Sequence, residues 1–192
     1  MPDIVQSVTP ECVGSQTVGP YYSIGLDYLV SETLAAPGVA GRHITIEGTV
    51  FDADGLPVPD AIVELWQASS EGDYITHPTQ SSENFSGFAR LSTHDNGHFQ
   101  VHTIEPGPVT YRDGRMQAPH IVALVFMRGL MRHLVTRIYM PDHPMNTADP
   151  VLQLIPQSRR ATLIANAVDD IGDQLCWNIH LQGEKETVFF DC

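Results

Sequence analysis

Short runs that alternate apolar and polar side chains, each stopped by Gly, Pro, Asn or Asp, recur along this chain and confine it to strands. Ile44, Ile46 and Val50 alternate with Thr45, Glu47 and Thr49, the period-two pattern of a strand with one face in a core. Asp52-Ala53-Asp54-Gly55 then supplies a turn before residues 61–67, which suits a hairpin or a sandwich corner. Asp95-Asn96-Gly97 separates a second pair of runs, 88–93 and 98–104, and Pro106-Gly107-Pro108 ends it. Residues 120–126 are apolar on both faces and, with 134–139, read as the buried centre of a sheet, which implies two layers. A brief helix is expected from Gln157-Ser158, carrying Leu163 and Ile164 inward, with further strands in 174–181 and 187–190. The 192 residues are 42% hydrophobic and 17% charged, enough for one domain with a core and unlike a disordered chain. The fold class expected is mainly β: a two-layer β-sandwich with short helices and an extended N-terminal arm.

The arm is taken as residues 1–40 and the sandwich domain as 41–192. Gly14, Gly19, Pro20, Pro37 and Gly38 fall in a stretch of weak periodicity. Pro20-Tyr21-Tyr22 places two amphipathic rings on a segment with little core of its own; such rings suit packing on a partner chain or folding back on the chain's own domain.

Ten Lys and Arg stand against 23 Asp and Glu, a net charge of -13, so the average surface repels nucleic-acid phosphates and anionic headgroups and neither is an expected partner. An anionic substrate would need a specifically placed Arg. Cys12, Cys176 and Cys192 form no paired motif, which fits a reducing cytoplasm. The start, Met1-Pro2-Asp3-Ile4-Val5-Gln6, has no basic-then-apolar leader, and the longest apolar run, 121–127, is too short for a bilayer. A soluble cytoplasmic protein is expected.

Phosphate-loop, nucleophile-elbow and His-Glu-x-x-His signatures are absent from the sequence. Asp52-Ala53-Asp54-Gly55 faintly resembles a calcium loop, but Val63 stands where the bidentate carboxylate is needed, so a tight turn is expected. Among nine His, His94, His98 and His102 are four apart, roughly 13 Å along a strand, too far to chelate one ion together. His120 differs: it follows Pro119 and opens the most apolar run, where an imidazole needs a hydrogen-bond partner, a metal or a function.

Leu65-Trp66-Gln67-Ala68, Glu71-Gly72-Asp73-Tyr74, Pro106-Gly107-Pro108 and Ala118-Pro119-His120-Ile121, in this order and spacing, resemble the intradiol ring-cleavage dioxygenases over nearly the whole chain. Ser15-Gln16-Thr17-Val18-Gly19-Pro20-Tyr21 and the segment from Gln182 to Asp191 resemble the α chain of the two-chain, protocatechuate-cleaving branch. Iron-carrying members of this family hold Fe(III) with two tyrosinates and two histidines, hard anionic oxygen being suited to a ferric ion. The resemblance puts Tyr74 at the first tyrosinate and His120 at the first histidine, while Val109 and Val122 stand where the second of each is expected. Half the set is missing, so Tyr74 and His120 are expected to be vestigial positions with structural roles, and no catalytic residue or metal is expected in this chain. The resemblance further implies that Fe(III) is bound by a homologous β chain in a higher hetero-oligomer, with protocatechuate and O2 as substrates. In it Gly19, Pro20 and Tyr21 would form part of the partner's substrate pocket, and Arg128 would reach toward the substrate carboxylate. Arg132, Arg137, Arg159 and Arg160 are read as surface or interchain ion-pair residues. Two other readings stay open here: an autonomous iron enzyme using Tyr111 or another His, and a non-catalytic ligand-binding sandwich.

Overall fold

The computed structural model describes residues 14, 16–19, 21–77 and 84–191; the expectations placed on Pro20, Cys12 and Cys192 fall outside them. In chain order the strands are β1 (His43–Phe51), β2 (Ile62–Gln67), β3 (Phe88–Ser92), β4 (His98–Ile104), β5 (Val109–Thr110), β6 (Met116–Gln117), β7 (His120–Phe126), β8 (Leu134–Tyr139), β9 (Asn166–Ala167), β10 (Gln174–Cys176) and β11 (Ile179–His180). β1 is the spine of the first sheet. One edge pairs antiparallel with β4, the other runs parallel to β10 and then β11, and β9 extends the sheet beyond β10. The second sheet is antiparallel in the order β3-β2-β7-β8, and β5-β6 is a separate ribbon.

Alternation decides which side chains meet between the sheets. Ile44, Ile46 and Val50 of β1 and Phe99 and Val101 of β4 pack against Val63 and Leu65 of β2 and Ile121, Ala123 and Val125 of β7. A smaller cluster of Ala118, Tyr139, Leu152 and Leu163 lies apart from it. It involves the chain after β8, including the one-turn helix α1 (Gln157–Arg160) and the 3-10 turn Ala161–Leu163. Leu163 is buried as expected, whereas Ile164 is half-buried and bridges Tyr139.

Several readings of the sequence change. Of the two forms open to the turn at 52–55 the structure has the sandwich corner, whereas the turn at 95–97 does not close a hairpin: β1 and β4 belong to one sheet, β2 and β3 to the other, so each turn carries the chain across the sandwich. β8 is an edge strand rather than a sheet centre. β7 is buried all along its inner face, whereas on the outer face His120 is buried and Val122, Leu124 and Phe126 are half-buried. Within 187–190, the bridge Val135↔Phe190 stands in place of the expected strand. Leu34 and Ala35, inside the expected arm, are 2% exposed core residues, and the Leu34 amide donates to the His102 carbonyl at 2.9 Å. The packed domain therefore begins before residue 41.

Candidate functional site

Two turns are locked together to build the region that the sequence singles out. Gly72 has φ +91°, and a Cβ there would lie 2.2 Å from the Pro108 carbonyl oxygen. Gly107 approaches as closely from the other side: a Cβ on it would be 2.5 Å from both the Gly72 nitrogen and the Ser70 oxygen. The Gly107 amide donates to Ser69 O at 2.8 Å. Only glycines permit this backbone-on-backbone packing. It ties the loop carrying Tyr74 to the start of β5, where Val109 is buried and pairs with Gln117. Tyr74 is half-buried with its ring 4.6 Å from that of Trp66, and desolvation raises its pKa against the opposing effect of the Arg137 charge.

His120 sits at the head of β7, 2% exposed. Its Nδ1 is 2.8 Å from Ala118 O; a carbonyl accepts only, so Nδ1 carries the proton and Nε2 the lone pair. Burial first, and the Arg137 charge second, pull its pKa down to about 4, so the ring is neutral at pH 7. Across the ladder His120 faces Tyr139, and Val122 faces Arg137. Arg137 Nη1 donates to Gln117 Oε1 at 2.8 Å and to Tyr139 Oη at 3.2 Å, and its guanidinium lies 5.8 Å over the Phe190 ring. Tyr139 Oη in turn donates to Asp149 Oδ1 at 3.1 Å. Asp149 is fully buried, and its carboxylate accepts from the amides of Ala118, Val151 and Leu152. Arg137 is thus a half-buried member of this network, not the surface ion-pair residue expected from sequence.

At the other end of β7, about 20 Å away at 3.3 Å per residue, a second set converges. Arg128 Nη2 pairs with Asp60 Oδ2 at 2.7 Å while 64% of the Arg128 side chain stays exposed. Tyr22 Oη donates to Asp60 O at 2.5 Å and accepts from the Arg128 amide at 3.3 Å. The Gly129 amide donates to Thr17 Oγ1 at 2.9 Å, and Arg90 reaches both Glu64 and the Tyr22 carbonyl. The arm and Arg128 therefore occupy one place, with Tyr21 78% exposed beside them.

The remaining candidates are structural. Tyr111 sits at the tip of the β5-β6 ribbon with Arg112 5.3 Å over its ring. His94 and His98 have centroids 6.3 Å apart, and His102 Nδ1 is 3.0 Å from Thr45 Oγ1. Asp52 Oδ1 caps the amides of Asp54 and Leu56, making the tight turn expected there. Among the described residues no three His, Cys, Asp or Glu side chains converge as a metal-binding group, and no helix is long and apolar enough to cross a membrane.

A family model described as Dioxygenase matches residues 18–183. The protocatechuate 3,4-dioxygenase alpha chain of Burkholderia cepacia is 40% identical, over 92% of this chain and 95% of that one. The chain belongs to the intradiol dioxygenases. The protocatechuate 3,4-dioxygenase beta chain of the same organism is 31% identical over 79% of this chain and 66% of its own length, so the relatives include both chains of one enzyme. Among solved structures, the dioxygenase domain of a dioxygenase and carbohydrate-binding fusion from Streptomyces sp. SirexAA-E superposes with TM-score 0.62 at 22% identity, covering 83% of this chain and 89% of that one. That likeness shows the sandwich fold.

The family is iron dependent, and the residues around Tyr74 and His120 do not fit a ferric ion. Val109 and Val122 have no donor atom, and Arg137 places a fixed cation beside the two donors that remain. Gln117, and the place of Arg137 in this network, escaped the sequence reading because a lone polar residue in a strand gives no signal until its cross-strand neighbours are known.

Proposed function

We propose that this chain is the metal-free α subunit of a protocatechuate 3,4-dioxygenase, acting with a homologous β chain that holds Fe(III) in a higher hetero-oligomer in the cytoplasm. The observation that supports this is the half-empty donor set with Arg137 beside it, which favours an iron centre in another chain. In that partner the ferric ion would supply Lewis acidity toward the catechol oxygens, the overall reaction being cleavage of protocatechuate by O2 to 3-carboxy-cis,cis-muconate.

This chain's share is binding and orientation. Gly19, Pro20 and Tyr21 form a wall of the partner's pocket, glycine and proline allowing close approach and the tyrosine ring offering a rigid flat surface. Arg128 holds the substrate carboxylate. Asp60 engages Nη2, and the rest of the exposed guanidinium remains to donate. In an acidic chain this local charge is what an anion can find.

The test is iron content and visible absorption of the chain alone and co-purified with its partner. Colourless, iron-free protein alone and a tyrosinate-to-iron band in the complex support the reading. Stoichiometric iron and that band in the isolated chain overturn it. In the complex, Arg128→Ala raises KM for protocatechuate by about 10- to 100-fold, the value of one charged hydrogen bond, and leaves kcat largely intact; an unchanged KM removes Arg128 from the pocket.

A further inference from the structure

We propose that Arg137 is a built-in cation that closes this chain's site to metal ions by charge, independently of the two missing ligands. The inference deepens the reading of Tyr74 and His120 as a vestigial site and rests on it.

The first support is register. Arg137 lies directly across the β7-β8 ladder from Val122, and directly opposed residues on one face of an antiparallel pair have Cβ atoms about 5 Å apart. A histidine at 122 would therefore present its ring to a guanidinium. The second support is fixation. Gln117 and Tyr139 each accept from Nη1, and Phe190 lies beneath the guanidinium plane. Gln117 is itself 6% exposed and held opposite Val109, so Arg137 is tied to both valine positions at once. The third is compensation: Tyr139 links the cation to the fully buried Asp149, which gives the guanidinium an anionic counterpart without a metal.

The experiment rebuilds the donors with and without the charge. Val109→Tyr with Val122→His is made alone, with Arg137→Gln, which keeps a hydrogen-bond donor, and with Arg137→Lys, which keeps the charge. Each is expressed in iron-supplemented medium, checked for folding by circular dichroism, and assayed for iron per chain and for tyrosinate-to-iron absorption. The Arg137→Gln version is expected to hold at least about tenfold more iron than the other two and to be coloured. Equal iron and colour in the two-substitution protein overturns the proposal, and so do a folded but colourless Arg137→Gln version and a fully loaded Arg137→Lys version. Should the rebuilt chains not fold, Arg137→Gln and Arg137→Lys in the otherwise unaltered chain decide, with Co(II) as the probe: tighter binding by the Gln variant alone supports the charge barrier, and equal binding by both refutes it. Iron and colour in the unaltered chain would overturn the vestigial reading together with this proposal, whereas a coloured two-substitution protein beside a colourless unaltered chain overturns this proposal alone.

Discussion

His120 is the residue whose environment is most at odds with its solution chemistry. Its ordinary pKa of 6.5 falls to about 4 because burial, and then Arg137, disfavour the imidazolium. The unfolded chain therefore binds a proton that the folded chain refuses between these two values, so stability rises with pH across that window and is lost as pH falls through it. The full shift corresponds to about 3 kcal/mol. Urea unfolding of the wild-type chain between pH 7 and pH 4.5 is expected to show a loss larger by about 2–3 kcal/mol than that of His120→Gln, whose neutral amide does not titrate. Parallel pH slopes for the two proteins would show that the ring takes up a proton inside the fold. That His120 deserved attention was legible in the sequence, since a polar ring opening an all-apolar run must be satisfied or functional. Arg137 was not legible: Leu134, Val135 and Thr136 around it give an ordinary amphipathic strand, and its meaning comes from Val122, Gln117 and Phe190, which only the folded register brings to it.

The strands themselves were largely readable, because alternation with a period of two specifies both a strand and its buried face. Which sheet a strand joins was not. The Asp52 and Asn96 turns carry the same local chemistry as hairpin turns, Asx-type bonds to amides two residues on, yet both lead across the sandwich. The choice is made by long-range pairing along β1, whose second edge changes partner from β10 to β11 at Trp177-Asn178. There the Trp177 amide donates to Glu47 O at 2.8 Å and Asn178 Oδ1 accepts from the Thr49 amide at 3.0 Å. Gly48 lies between these bonds, and a Cβ on it would stand 1.9 Å from Trp177 O and 2.8 Å from Phe99 Cζ. Neither the backbone carbonyl nor the buried ring has space to retreat. Gly48→Ala is expected to cost at least about 3 kcal/mol, while Gly55→Ala, at φ +75° with nothing within 4 Å, costs about 1–2 kcal/mol from the left-handed backbone alone. Thermal melts of both variants check this; similar melting temperatures would mean that the β10-β11 junction yields.

At the scale of the molecule, β7 separates two places with different electrostatics: the Arg137 network at its head, closed by a buried carboxylate, and the Arg128 cluster just beyond its far end, half open to solvent. Both set arginines against nearby carboxylates on a chain of net charge -13. Self-repulsion of that excess destabilises the compact state, and apart from the part-buried Arg90–Glu64 pair the ion pairs that oppose it are exposed or half-exposed: Arg132–Asp191, at 2.8 Å, has side chains 72% and 82% exposed, and Arg42–Glu105, at 2.6 Å, 44% and 22%. Such pairs contribute about 0–1 kcal/mol each. Salt screens both effects, but the unpaired negative charges outnumber the pairs and act over longer distances. Screening shortens the reach of charge from about 30 Å at 0.01 M to about 3 Å at 1 M. The melting temperature of the isolated chain is therefore expected to rise by a few degrees between these limits in sodium chloride, with most of the gain below about 0.2 M, where the long-range repulsion is removed. A fall in melting temperature over that range would mean that the pairs outweigh the excess charge, and would move the stabilising electrostatics from the surface average to the Arg42, Arg90 and Arg137 contacts.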